Sequence, residues 1–350
     1  MAEHIGVTRR ALLSISAAAV SCRGAEPDYD SLVRPLAERG EFMGTVLVSR
    51  LERIAFQQAY GFVDLEWRIP HAIDGRFRIG SISKQFTAAC ILLLGQTNRI
   101  DLDAPIATYV PDTPASWNRI TVHHLLTHTS GIPDFLGFPD YQARKPLPSS
   151  PSETLLRFRD RPLEFTPGTQ GKYSNSGYIL LAYILERVSG ESFANFLSKN
   201  ILDPLRLRDT GVDTHRAVLL HRARGYTRFR EGLGNADYID MSIATGGGSL
   251  YSTANDLHHW TLALHGGSFL SPEAYRRMTT PMFHNYGYGL EIRGAAGERI
   301  IGHAGGMEGF SGNLQFRERD RVVCAVLANV NTNVTGRLAN QLAALAEQGA

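Results

Sequence analysis

The pattern of apolar and polar positions predicts strands near both ends of the chain. A helix is predicted over residues 31–38, and alternating apolar positions predict two paired strands at 44–48 and 54–56. Strand patterns return later in the chain, at 286–292, 299–301, 312–317 and 322–330. A closing helix is predicted over 334–347. We therefore expect one antiparallel sheet, completed by distant parts of the chain.

The centre of the chain has the spacing of helices. A long apolar segment at 81–98 opens with Ser and Lys and predicts a buried helix that begins near residue 81. Between 101 and 230, helical segments are separated by turns that contain Pro and Gly. These observations predict an α/β fold of the α+β sandwich type, in which helices flank an antiparallel sheet and an all-helical region is inserted. The sheet region is expected at about 26–105 and 235–350, and the helical insertion at about 106–234.

Residues 1–25 resemble an export signal, which leaves one domain over 26–350. Arg9 and Arg10 precede a small, apolar run at 11–20 that is too short to span a bilayer. Paired arginines before such a run indicate twin-arginine or general bacterial export, with a basic N-terminal helix as the alternative. Cys22 follows a small-residue cleavage site and resembles a lipid-acceptor cysteine. We expect a periplasmic or extracellular protein, with Cys22 as the candidate for a membrane tether.

Composition narrows the classes of partner. The 36 basic and 34 acidic residues give a net charge of +2 without runs of like charge, which disfavours nucleic acid. His124 and His128 have the spacing of a zinc protease but lack its glutamate, and the chain has no CxxC pair. Cys90 and Cys324 each lie in an apolar stretch and are expected to be buried thiols. We expect no metal, no cofactor, and a monomer that takes a small-molecule or peptide substrate.

Ser81 and Lys84 form an S-x-x-K sequence, which places both side chains on one face of a helix. A serine hydroxyl becomes a good nucleophile when a neighbouring base accepts its proton. A buried lysine can have its pKa lowered far enough to do so, whereas arginine stays protonated. Lys84 is one of only four lysines in a chain that otherwise uses arginine. The pair is therefore a candidate nucleophile and base, although S-x-x-K alone occurs by chance in most proteins.

A second candidate element is the Y-x-N sequence of Tyr173 and Asn175, in a loop rich in Gly and Ser. Tyr173 can act as a general base if nearby cations, Lys84 and a suitably placed Lys172, lower its pKa. The amide of Asn175 can orient Lys84 and a substrate carbonyl. An ordinary turn with an aromatic anchor is the alternative interpretation.

A third candidate element is the H-x-G sequence of His303 and Gly305, followed by Gly306, after a predicted strand. A glycine-rich strand edge allows a substrate backbone to lie beside it, and its free N–H groups can bind an oxyanion. We expect the N–H groups of Gly306 and Ser81 to form an oxyanion hole. Alone, this segment also fits a glycine turn with an unrelated histidine.

In this order and at these separations, the three sequences resemble the motifs of the serine β-lactamase and penicillin-binding-protein superfamily. The residues at 77–80, 124–131 and 245–253 resemble the branch of class C β-lactamases, D,D-carboxypeptidases, D-aminopeptidases and family VIII-type esterases. The resemblance covers roughly 44–329. It implies a β-lactamase/transpeptidase-like fold with the site between sheet and helical region, and a metal-free acyl-enzyme mechanism in which Tyr173 is the main base.

One departure from the β-lactamase pattern concerns the substrate. His303 stands where those enzymes usually carry lysine, and a histidine with a pKa of about 6.5 is mostly neutral at pH 7. This departure counts against efficient β-lactam hydrolysis. The resemblance favours a D-amino-acid peptidase or β-lactamase-like hydrolase of cell-wall-type peptides or β-lactams. A carboxylesterase for small acyl esters is the alternative, and a non-catalytic penicillin-binding sensor is the alternative from another class.

Overall fold

A computed structural model describes residues 27–348 of the chain. The predicted export signal, including Cys22, lies outside the described residues. None of the helices within 27–348 is long and apolar enough to cross a membrane. The strands are β1 Gly44–Arg50, β2 Arg53–Tyr60, β3 Phe62–Asp64, β4 Ile69–Pro70, β5 Phe77–Arg78, β6 Gly211–Val212, β7 Tyr226–Phe229, β8 Gly232–Asn235, β9 Leu250–Ser252, β10 Glu291–Arg293, β11 Ile300–Met307, β12 Phe310–Arg317 and β13 Val322–Ala328. The helices are α1 Asp30–Glu38, α2 Ser83–Gln96, α3 Val122–Leu126, α4 Tyr141–Arg144, α5 Pro151–Leu155, α6 Asn175–Ser189, α7 Phe193–Leu197, α8 Asp203–Leu205, α9 Ala254–His265, α10 Pro272–Met278 and α11 Val334–Gln348.

The principal sheet has six antiparallel strands in the order β10-β11-β12-β13-β1-β2. Strands β1 and β2 form the predicted early pair, and β1 also pairs with β13 from the far end of the chain. In that second pairing Val46 lies opposite Val326, and Val48 lies opposite Cys324. The prediction that distant parts of the chain complete one sheet is confirmed.

Helices cover both faces of this sheet, so alternate residues of β13 enter two different cores. Cys324 and Val326 pack in a core with α1 and α11, whereas Ala325 and Leu327 pack in a larger core with α2, α6 and α9. Fully burying a valine or leucine side chain contributes roughly 1.5–3 kcal/mol relative to leaving it exposed. Cys90 of α2 and Cys324 are both buried free thiols, as predicted.

Helices dominate the middle of the chain, but the interval at 106–234 is not entirely helical. Strand β6 pairs with β9, and β7 pairs with β8, in two small separate sheets. These strands have two to four residues each. A period-2 pattern needs a longer run to be recognised, so the sequence did not predict them.

The predicted strand at 286–292 is wrong over most of its length, since only β10, from Glu291 to Arg293, is a strand. The preceding residues form a turn in which the N–H of Gly287 donates to the carbonyl of Leu290. Gly289 has a φ of 68°, and a Cβ there would lie 2.5 Å from the carbonyl oxygen of Lys84. The chain bends at Gly289 because it passes directly against the start of α2, where only glycine fits.

Candidate active site

Ser81 lies on a short 3-10 turn, Gly80–Ile82, that leads into α2. The predicted helix therefore begins two residues later than expected, at Ser83. Gly80 has a φ of 50°, and a Cβ there would lie 2.7 Å from the backbone nitrogen of Gly306. The turn that carries Ser81 is thus pressed against strand β11, and Ser81 opens onto a cavity between the sheet and the helical region.

Lys84 is completely buried, and its ammonium nitrogen has three close oxygen neighbours. The Nζ atom lies 3.0 Å from Ser81 Oγ, 2.8 Å from Asn175 Oδ1 and 2.7 Å from the carbonyl oxygen of Gly247. Burial lowers the pKa of Lys84 to about 7, and the charge of Asp134 partly opposes this shift. The amine is therefore poised near neutral pH.

The geometry around Lys84 determines what its neutral form can do. A neutral amine has two N–H groups and one lone pair. The oxygens of Asn175 and Gly247 are acceptors only, so they take the two N–H groups. The lone pair is then left facing Ser81 Oγ, 3.0 Å away. In this state Lys84 is arranged to accept the Ser81 proton.

Asn175 is held in one orientation by Asp134, a residue that the sequence did not single out. The Nδ2 atom of Asn175 donates to Asp134 Oδ2 at 3.0 Å, and the backbone N–H of Asn175 donates to Asp134 Oδ1 at 3.2 Å. The amide oxygen is therefore the atom presented to Lys84. Burial raises the pKa of Asp134, while its hydrogen bonds with Asn175 lower it.

Tyr173 lies above Lys84, with its ring centre 4.9 Å from the Lys84 Nζ atom. Although 39% of the residue is exposed, its hydroxyl is enclosed by protein and contacts Ser81. Burial raises the pKa of Tyr173, and the hydrogen bond with Ser81 opposes this only in part. The condition under which Tyr173 could act as a base, a pKa lowered by cations, is therefore not met: burial raises this pKa, and Lys172 pairs with Glu164 at 2.5 Å instead.

His303 is buried beside Tyr173, with the two ring centres 6.1 Å apart. Its Nδ1 lies 2.5 Å from the carbonyl oxygen of Ala304, an acceptor, so Nδ1 carries the hydrogen. Its Nε2 then accepts from the hydroxyl of Tyr286 at 2.8 Å. Burial, and then the charge of Lys84, lowers the pKa of His303 to about 3. The ring is neutral near pH 7 and offers no charge to a substrate carboxylate.

The glycines after His303 shape one wall of the site. Strand β10 pairs with β11 only at 300–302, so the edge of β11 is open from His303 onward. A Cβ on Gly305 would lie 2.1 Å from the carbonyl oxygen of Ile79, whereas a Cβ on Gly306 would meet nothing within 4 Å. Gly305 therefore allows close packing, and Gly306 leaves space for a substrate. The oxyanion hole between Gly306 and Ser81 stays a prediction.

His124 and His128, the two histidines with the spacing of a zinc protease, both stabilise the local fold. The Nδ1 atom of His124 accepts from the N–H of Thr121 and so completes the cap of α3. His128 is buried against the ring of Tyr173, with centres 4.2 Å apart, and its Nδ1 accepts from the N–H of Ser174. Over residues 27–348, no group of three or more His, Cys, Asp or Glu side chains is arranged as a metal site would need.

Residues 29–348 match the family described as Beta-lactamase. Over 302 residues the chain is 28% identical to "Penicillin-binding protein 4*" of Bacillus subtilis, a match that covers 80% of this chain and 66% of that protein. The chain thus spans just under two thirds of that relative's length.

Solved structures give the same result. A penicillin-binding protein from Bacillus halodurans superposes with a TM-score of 0.78 and 28% identity, covering 90% of this chain and 98% of that one. A D-stereospecific amidohydrolase from Streptomyces sp. superposes with a TM-score of 0.79 and 26% identity, covering 90% and 98%. The β-lactamase/transpeptidase-like fold is confirmed, and the chain belongs to the beta-lactamase family, a family of serine hydrolases.

Proposed function

We propose that the protein hydrolyses amide bonds of D-amino-acid derivatives through an acyl-enzyme on Ser81, with Lys84 as the base. The observation that carries this proposal is the buried amine of Lys84, whose pKa of about 7 and two carbonyl partners leave its lone pair facing Ser81. The choice of D-amides is supported by the likeness to the Streptomyces amidohydrolase.

Acylation begins when Ser81 Oγ attacks the substrate carbonyl and its proton passes to Lys84 Nζ. The N–H groups of Ser81 and Gly306 bind the oxyanion that forms. Tyr173 stays protonated because its pKa is raised, so its role is to donate a proton to the leaving nitrogen as the C–N bond breaks. The Lys84 ammonium then returns a proton to Tyr173. This assignment replaces Tyr173 with Lys84 as the main base.

Deacylation uses the same amine, with water as the nucleophile. Water attacks the ester carbonyl, its proton passes to the neutral amine of Lys84, and the C–O bond to Ser81 breaks. Lys84 then returns the proton to Ser81 Oγ. Because Asn175 and Gly247 hold Lys84 throughout, the same amine serves both half-reactions.

The test is the rate of hydrolysis of D- and L-phenylalanine p-nitroanilides by the purified protein, with Ser81→Ala as the control. The proposal expects hydrolysis of the D-isomer that is lost in Ser81→Ala. Equal activity in Ser81→Ala contradicts the mechanism. Turnover of p-nitrophenyl butyrate alone, without either anilide, supports a carboxylesterase instead, and trapping of penicillin without any turnover supports a sensor.

We also propose that the protein is exported and works as a monomer. The arginine pair and the apolar run before Cys22 support export. Mass spectrometry of the N-terminus from the native cell shows whether cleavage occurs before Cys22 and whether a lipid is attached. Light scattering of the purified protein gives the oligomeric state.

A further inference from the structure

The cavity next to Ser81 has a strongly apolar wall. It has a volume of about 520 Å³ and reaches Ser81, Asn175 and Gly306 at one end. Its apolar lining comes from the helical region and from the sheet, and includes Phe135, Tyr141, Ile179, Ile239, Ile243 and Met307. A space of this size holds a drug-sized group, and its lining favours an aliphatic or aromatic side chain.

The only carboxylates that line this cavity, among the described residues, are those of Asp237 and Glu308. Both contact the ammonium group of Lys145, at 3.1 and 3.2 Å. Lys145 is buried behind them and does not line the cavity. Two carboxylates paired with one ammonium group leave one net negative charge on this part of the cavity wall. Within residues 27–348, no Lys, Arg or His side chain lines the cavity to balance it.

Arginines do lie in an adjoining cavity, which shares Asp237 and Glu308 with the first. Each of them already pairs with another carboxylate. The pairs are Arg76–Asp209 at 2.5 Å, Arg78–Asp213 at 2.7 Å, Arg222–Asp213 at 2.9 Å, Arg224–Glu66 at 3.2 Å and Arg224–Asp64 at 3.7 Å. Two of the arginines share Asp213 and Arg224 has two partners, so the four arginines are balanced by four other carboxylates. The negative charge of Asp237 and Glu308 is therefore not cancelled from behind.

Glu308 lies close to the position expected for the reacting carbonyl of the substrate. It follows Gly306 by two residues, directly after the end of the open edge of β11. A substrate acyl group that lies along this edge, with its carbonyl at Ser81 and Gly306, extends toward Glu308. The far end of that acyl group meets a carboxylate, and a positively charged group there gains a charge-assisted hydrogen bond.

We infer that the enzyme acts on short peptides with an apolar residue before the scissile bond and a free amino terminus, whose ammonium group binds Glu308 and Asp237. This inference rests on the proposed function. It adds that the acyl group of the preferred substrate carries a positive charge at its amino end. A carboxylate at the same place is disfavoured, because it meets like charge.

The test compares three D-phenylalanine p-nitroanilides that differ only in the N-terminal group: glycyl (a free amine), acetyl (neutral) and succinyl (a carboxylate). The glycyl compound is expected to exceed the succinyl compound in kcat/KM by at least about tenfold, since one hydrogen bond to a charged group has this magnitude. Glu308→Gln is expected to reduce that ratio. Raised salt is expected to reduce it as well, because the charges are partly exposed.

Glu298→Gln is the matched control, because Glu298 is an exposed carboxylate paired only loosely, at 3.7 Å, with Arg319. In this control variant the ratio of kcat/KM between the glycyl and succinyl compounds is expected to stay unchanged. Asp237→Asn provides a second charge removal at an exposed side chain, in case Glu308→Gln fails to fold. Equal rates for the three compounds, or a preference for succinyl, overturn the inference alone. No turnover of any compound overturns the proposed function and this inference with it.

Discussion

Replacing Lys84 by methionine removes the amine that faces Ser81 and keeps an unbranched side chain of similar length. General-base catalysis contributes roughly 10²–10⁴-fold to a rate, so acylation by Lys84→Met is expected to fall by about that factor. The readout is the release of p-nitroaniline or p-nitrophenol before steady state. Thermal melting is measured in parallel, because the carbonyl oxygens of Asn175 and Gly247 lose their partner in this variant.

The pKa of Lys84 gives the pH dependence of the same step. With a pKa of about 7, roughly half of the amine is neutral at pH 7 and about one tenth at pH 6. Because the neutral amine is the active form, kcat/KM is expected to rise with pH through 7 and to level off above 8. The rate is expected to fall about fivefold from pH 7 to pH 6, and about tenfold per pH unit below pH 6.

Asp134→Asn tests the origin of this pKa. The charge of Asp134 raises the pKa of Lys84, so its removal is expected to move the acid limb of the pH profile to lower pH. Asp140→Asn is the matched control, since Asp140 is exposed and pairs with Arg144 and Arg157. A flat wild-type profile between pH 5.5 and 8, or full activity in a folded Lys84→Met, refutes the assignment of Lys84 as the base.

Four further predictions follow from the site. Tyr173→Phe is expected to slow anilide hydrolysis more than hydrolysis of a p-nitrophenyl ester, whose leaving group needs no proton; equal losses contradict a role as the acid. Gly305→Ala is expected to lower the melting temperature, since its methyl group would meet the Ile79 carbonyl at 2.1 Å and overpacking costs about 1–3 kcal/mol. Gly306→Ala has open space, so it is expected to melt normally but to lower kcat/KM. Nitrogen NMR is expected to show His303 neutral, with its proton on Nδ1, from pH 5 to 8; a midpoint near 6.5 contradicts this.

The sequence predicted local relations in the site well. Ser81 and Lys84 are separated by one helical turn, so their contact followed from spacing alone. The likeness to known motifs added Tyr173 and Asn175, which the structure places around the same amine. The buried position of His303 beside Tyr173 also agrees with its place in the third motif.

Contacts between distant segments were not predictable from spacing. Asp134 lies 41 residues before Asn175, and the Gly247 carbonyl lies 163 residues after Lys84. Every residue has a backbone carbonyl, so the residue type at a position does not show that its carbonyl binds a distant side chain. The direction of the pKa shift of Tyr173 is not predictable for a related reason, since the sequence shows which cations exist but does not show how deeply a hydroxyl is buried.

The strands of the fold likewise divide into those that the local pattern predicts and those that depend on contacts between distant residues. Strands β1 and β13 carry apolar runs and are predicted over most of their length, whereas only residues 54–56 of β2 are predicted. The aromatic and aliphatic residues of the turn before β10 predict a strand, whereas the bend comes from the tertiary contact of Gly289 with Lys84, which the local pattern does not contain.

Mass spectrometry of the purified protein after reaction with a fluorescent penicillin tests the central claim most directly. Peptide mapping then locates the added mass. The account predicts that the added mass lies on the peptide that contains Ser81, and that Ser81→Ala carries none. An adduct on another residue, or equal labelling of Ser81→Ala, contradicts the claim that Ser81 is the nucleophile.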